Sequence, residues 1–152
     1  MNPQMAYSGN GLALTERFEG FRAKAYQDAT GTWTCGYGHT QGVTGGTTCD
    51  QQLAEQWLLS DIRVAVDAVN RMVTVPLTQD EFDAIVDFVF NVGQGNFGAS
   101  TMLELLNQGE YQAAAEQFSR WDFINGQAVA GLLNRRVAEQ TLFNSQPPEQ
   151  EA

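Results

Sequence analysis

Six of the fifteen glycines fall between positions 31 and 46, at Gly31, Gly36, Gly38, Gly42, Gly45 and Gly46. A helix cannot form there, because each interior glycine costs about 1 kcal/mol relative to alanine. Within the same stretch Trp33, Cys35, Tyr37 and His39 alternate with Thr32, Thr34, Gly36 and Gly38. That is the period of a strand with two unlike faces. The spacing predicts a small β-meander over residues 24–48. Upstream, Leu12, Leu14 and Phe18 predict a short helix ending near Gly20, a residue suited to a C-terminal cap.

From Asp50 the period changes to 3.6. Leu53, Trp57, Leu58, Ile62, Ala65, Val66 and Val69 form one stripe opposite Glu55, Gln56, Arg63, Asp67 and Asn70. This predicts a long amphipathic helix capped by Asp50 and stopped before Pro76. Thr78-Gln-Asp-Glu81 is a capping-box signature opening a second helix, with the stripe Phe82, Ile85, Val86, Val89 and Phe90. The glycines of 93–98 then predict a break, followed by helices near 100–108, 110–120 and 128–143, set off by glycines such as Gly109 and Gly126. The tail 146–152 has little to bury and reads as disordered.

The fold class is therefore α+β. One domain over residues 1–145 carries a small β-containing lobe at about 20–49. A larger helical lobe takes 74–145 with the N-terminal helix, and the long helix joins the two. A cleft between lobes is the natural ligand site.

Composition narrows the function. At 43% apolar residues the chain has material for a core, and no run approaches the roughly 18 apolar residues of a membrane span. We expect no integral membrane segment, signal peptide or anchor. Eight bases against eighteen acids give a net charge of −10. Three of each lie before Asp50, so the acidic excess belongs to the rest of the chain. Such a surface lacks the basic stripe of a phosphate-backbone binder, so no nucleic acid partner is expected. With two cysteines, one histidine and no Cys-x-x-Cys pair, no metal and no cofactor are expected either.

Among acidic residues Glu19 is the sharpest candidate. At the end of the first helix it faces the negative pole of the helix dipole, and Phe18 and Phe21 add desolvation; both favour a retained proton, as a general acid needs. A solvated surface glutamate is the alternative. Asp28 opens the polar turn Asp28-Ala-Thr-Gly31 and should stay ionised, although an Asx-turn role alone explains it. Thr34 falls on the strand face away from Trp33, Cys35 and Tyr37, where its hydroxyl can hold a water; threonine is also simply common in strands.

Together Glu19, Asp28, Thr34 and Gly36-Tyr-Gly-His-Thr40 resemble the active-site segment of the phage-type lysozymes, the endolysin muramidases of glycoside hydrolase family 24. The likeness continues through Phe88-Val-Phe-Asn-Val-Gly93, the Ala113–Phe118 helix with Trp121, and Gly131-Leu-Leu-Asn-Arg-Arg136, covering residues 12–143. It implies a lysozyme-like fold with the active-site cleft between the lobes. It also implies hydrolysis of the β-1,4 bond between N-acetylmuramic acid and N-acetylglucosamine in peptidoglycan, for host cell lysis by a phage or prophage. By that resemblance Glu19 protonates the departing oxygen, Asp28 stabilises the oxocarbenium charge and orients or activates water, and Thr34 positions that water. The family favours inversion of configuration.

The same resemblance pairs His39 with Asp61 as a structural ion pair and makes Asn91 a cleft-facing amide that binds substrate. Tyr26 is a second substrate-binding candidate. Arg135 and Arg136 can meet acidic peptide stems or pair with surface acids. Cys35 and Cys49 depart from the family pattern. They form a possible disulfide after export, or two buried thiols acting as small hydrophobes. A monomer is expected, made in the host cytoplasm and reaching the periplasm or cell wall through a holin-type pore or other export route. Two competing readings are a non-catalytic peptidoglycan-binding or scaffolding module with this fold, and a lytic transglycosylase, which needs no attacking water.

Overall fold

The structure, a computed structural model, describes residues 4–124 and 127–145. Contacts divide the chain into two compact units, residues 15–63 and the remainder on either side of them. The predicted disorder of 146–152 and the break at Gly126 lie outside the described residues.

In the smaller unit, helix α1 (Gly9–Glu19) delivers its last turn and ends where Gly20, at φ 74°, donates its N–H to Glu16 O at 3.0 Å. Strands β1 (Arg22–Gln27) and β2 (Trp33–Gly36) pair antiparallel, Tyr26 facing Thr34 across the ladder and Gln27 facing Trp33. The segment before the next helix joins on, with a Lys24–Thr48 bridge and Cys49 N–H donating to Ala23 O at 2.9 Å. The meander is shorter than its sequence pattern. Gly36 adopts φ 70° and ends β2, so the alternation of residues 33–39 does not divide them cleanly. Trp33 is 38% exposed, whereas Cys35, Tyr37 and His39 are buried and Thr34, on the supposed opposite face, is buried with them.

Helix α2 (Gln51–Met72) begins as its sequence predicts: Leu53 N–H donates to Asp50 Oδ1 at 2.8 Å. Leu58, Ile62, Ala65 and Val69 of its stripe are buried, and Ala54 and Ala68 join them. Alanine on a polar-looking flank widens a buried face without adding volume.

The larger unit is built on α3 (Gln79–Val92). Its capping box is complete, with Glu81 N–H donating to Thr78 Oγ1 at 3.0 Å and Thr78 N–H to Glu81 Oε1 at 2.8 Å. Residues Phe82 through Val89 are all buried. The expected one-sided stripe is therefore a helix covered all round, which is how a central helix behaves. Phe88 packs edge-on against Phe97, Phe118 and Trp121. Short helices α4 (Gln94–Gly98), α5 (Thr101–Asn107) and α6 (Tyr111–Ala115) follow, then a 3₁₀ turn at Phe118–Arg120. The predicted break at 93–98 is corrected here: only Gly93, at φ 95°, interrupts the chain, and α4 restarts at once to bury Phe97. A two-residue ladder, β3 (Phe123–Ile124) with β4 (Gln127–Ala128), precedes α7 (Ala130–Phe143), which packs on α3.

Candidate active site

Glu19, Asp28, Thr34, Tyr26 and His39 all belong to the smaller unit. Glu19 is half-buried at the last position of α1. Gly38 comes so close that a methyl group built on it would lie 2.9 Å from Glu19 Oε1.

Asp28 anchors the turn between β1 and β2. Its Oδ1 accepts from Thr30 N–H at 2.9 Å, Thr30 Oγ1 at 2.7 Å and Thr32 N–H at 3.0 Å. The Asx-turn geometry is thus present, with all three of these bonds on one carboxylate oxygen, and the Gly31 N–H also favours the ionised carboxyl. The Thr30 hydroxyl, followed by the backbone N–H groups of Thr32 and Thr30, holds this exposed carboxyl below its ordinary range. The turn fixes an ionised carboxylate whose Oδ2 takes none of these three bonds.

Thr34 donates its hydroxyl proton to Thr32 O at 3.0 Å. Only its lone pairs remain to accept from a water. Tyr26 lies opposite it, half-buried, with the Arg22 guanidinium 4.1 Å above its ring. The cation holds the ring by its face.

His39 Nδ1 sits 2.8 Å from Asp61 Oδ2, and its ring stacks on Trp57 at 4.5 Å. Both partners lie on α2, so the histidine ties the Gly-rich loop to that helix. Cys35 and Cys49 are thiols with sulfurs 3.5 Å apart. Burial, then Cys35, pushes the Cys49 thiol up to about 11.

The larger unit holds Asn91 and both arginines. Arg136 Nη2 donates to Asn91 Oδ1 at 2.9 Å. Arginine offers no acceptor, so the amide oxygen must face it and the Asn91 NH₂ group points elsewhere. Asn91 lines a pocket of about 230 Å³ with Trp121, Phe123 and Leu132.

The expectation that Arg135 and Arg136 meet peptide stems or surface acids is corrected. Both are buried. Arg135 binds Asp87 through Nη2 to Oδ1 at 2.8 Å and Nε to Oδ2 at 3.0 Å. Arg136 donates to Glu139 Oε2 at 3.0 Å and lies 5.0 Å over the Phe88 ring. Its Nε is 2.8 Å from Glu139 Oε1 but out of line for a hydrogen bond, so distance and geometry disagree, and the geometry decides. Burial raises the Glu139 carboxyl well above its usual range, and burial lowers Arg136.

Asp83 is a third buried acid, accepting from Ser8 N–H at 3.2 Å, the Ser8 hydroxyl and Gln79 Nε2 at 2.9 Å. Sequence reading passed over Asp83, Asp87 and Glu139. The available signal was two acids four residues apart inside an apolar helix, which demands buried partners.

The phage lysozyme family model matches residues 16–139. The endolysin of Acyrthosiphon pisum secondary endosymbiont phage 1 is 43% identical over 145 residues, 93% of this chain and 99% of that one. The endolysin of Bacillus phage PZA is 41% identical over 95% of this chain, which spans 57% of that relative's length. Among solved structures, the muramidase domain of SpmX from Asticaccaulis excentricus superposes with a TM-score of 0.88 at 39% identity, covering 93% of this chain and 99% of that one. A match over this span, on a chain with the α+β lysozyme-like architecture, shows that the protein belongs to the phage lysozyme family and is a peptidoglycan-lysing glycoside hydrolase.

Proposed function

We propose that the protein hydrolyses the β-1,4 bond between N-acetylmuramic acid and N-acetylglucosamine with Glu19 as general acid. Glu19 gives its proton to the departing glycosidic oxygen as the bond to C1 breaks. Asp28 Oδ2 faces the developing oxocarbenium charge and takes a proton from the water that attacks C1. Thr34 holds that water through its lone pairs, its own proton being committed to Thr32 O. The observation that carries this reading is the Asp28 turn, in which three donors fix one oxygen and keep the carboxylate ionised. Glycoside hydrolysis needs one carboxyl that keeps its proton and one that does not.

Water attack from the face opposite the leaving group inverts the anomeric centre, and inversion is our proposal for the stereochemistry. NMR of the first-formed anomer tests it: an α-configured product is expected, and a β-configured one contradicts it. Asn91 and Tyr26 bind the polymer. Asn91 contributes as a hydrogen-bond donor, because Arg136 occupies its oxygen.

The protein acts as a monomer on the periplasmic or wall side, reaching it through a holin-type pore or another export route. There Cys35 and Cys49 meet oxidants and close a disulfide. Loss of turbidity of a cell-wall suspension tests the catalytic reading. Wild type clears it, and Glu19→Gln does not.

A further inference from the structure

Three glycines of one loop share a left-handed backbone for three different reasons. Gly36, Gly38 and Gly42 have φ of 70°, 86° and 73°. At Gly42 a built Cβ meets nothing within 4 Å among the described residues, so backbone conformation favours glycine there. At Gly36 it would lie 3.0 Å from Ala54 Cβ and 3.3 Å from the Trp57 ring, so the loop could not rest on α2. At Gly38 the obstacle among the described residues is Glu19, with Oε1 at 2.9 Å and Cδ at 3.7 Å.

We infer that Gly38 is a positioning residue for the reaction: its missing side chain is the seat on which the Glu19 carboxyl rests. The obstacle is the far end of a flexible side chain, so a Cβ at position 38 would displace the carboxyl without dislodging backbone. Misplacing a reacting group by about 1 Å can cost about 100-fold in rate. A purely conformational role would instead make Gly38 and Gly42 equivalent. The inference rests on the reading of Glu19 as the proton donor.

Asparagine separates the two roles, since it tolerates φ above zero better than other residues while still adding a Cβ. We expect Gly38→Asn to lower kcat about 100-fold with KM within about threefold, and to shift the alkaline limb of the pH–kcat profile, which the general acid sets. Gly42→Asn and Gly109→Asn, both in open left-handed positions, should keep wild-type kcat and melt within about 3 °C of Gly38→Asn. A Gly38→Asn enzyme with kcat and pH profile matching Gly42→Asn overturns the inference.

Melting temperature gives a second test that does not need activity. Removing the obstacle in Gly38→Ala/Glu19→Ala should restore stability lost in Gly38→Ala, down to the loss seen in Gly42→Ala. Strictly additive losses overturn the inference. Full activity in Glu19→Gln would instead remove the reading beneath it, and that result is separable from the other two.

Discussion

The two units spend their charges in opposite ways. In the smaller unit the carboxylate of Asp28 is fully exposed, hydrogen-bonded by its own turn and held below the ordinary range. In the larger unit Asp83, Asp87, Arg135, Arg136 and Glu139 are all buried, and burial drives Glu139 the other way. An exposed carboxylate keeps water available to its other oxygen and is cheap to maintain. A buried ionic cluster needs every partner, and its loss leaves a stranded charge. The difference teaches that charge removal should separate activity from stability according to the unit in which it is made.

Asp87→Ala tests the stability side and carries the largest expected effect. It removes the carboxylate that accepts two hydrogen bonds from Arg135, and should destabilise the fold by about 3–5 kcal/mol in chemical denaturation. A loss under about 1 kcal/mol would mean that the cluster relaxes to water and the contrast between units is false.

Asp28→Asn tests the activity side. The amide oxygen can still accept the three turn donors, so the fold should hold while turnover of peptidoglycan falls about 100-fold or more. Stability should change in one pH range only. The Asp28 pKa is lowered on folding, so its contribution is present above the ordinary carboxylate value and is lost as pH falls through the folded one. Wild type, but not Asp28→Asn, should show that acid-side loss in melts run from pH 5 to pH 2.

Oxidation of Cys35 and Cys49 sharpens the comparison within the smaller unit. Their sulfurs must close from 3.5 Å to about 2.05 Å, with two protons and two electrons passing to a disulfide oxidant such as oxidised glutathione. A thiol at about 11 reacts slowly at neutral pH. Mass spectrometry should show a slow loss of about 2 Da, faster at pH 9, with the melting temperature raised by roughly 5 °C or more. Cys49→Ser should show neither change.

Asp61→Asn has the smallest expected effect, near 1 kcal/mol, because Asp61 is partly exposed. Unchanged stability in chemical denaturation would dissolve that pair.

Much of the fold was legible because its signals are local. Asp50 caps α2, Thr78 and Glu81 close their box, and Gly20 ends α1 within one turn of the residues that announce them. The Asp28 turn was legible for the same reason. Arg135 and Arg136 were not, because the acid that buries Arg135 stands 48 residues away. Phe97 likewise makes a helix of a Gly-rich segment only by being buried against Phe88. Thr34 was half-read: its place on β2 follows from alternation, but Gly36 ends the strand, and its hydroxyl bond to Thr32 O is a detail of the turn.

Mass spectrometry of muropeptides released from purified peptidoglycan tests the central claim most directly, with Glu19→Gln run in parallel. Glu19 and Asp28 acting as acid and water-directing anion predict reducing N-acetylmuramic ends from wild type and none from the variant. Anhydro-muramic ends, one water lighter, or undiminished release by Glu19→Gln, would contradict it.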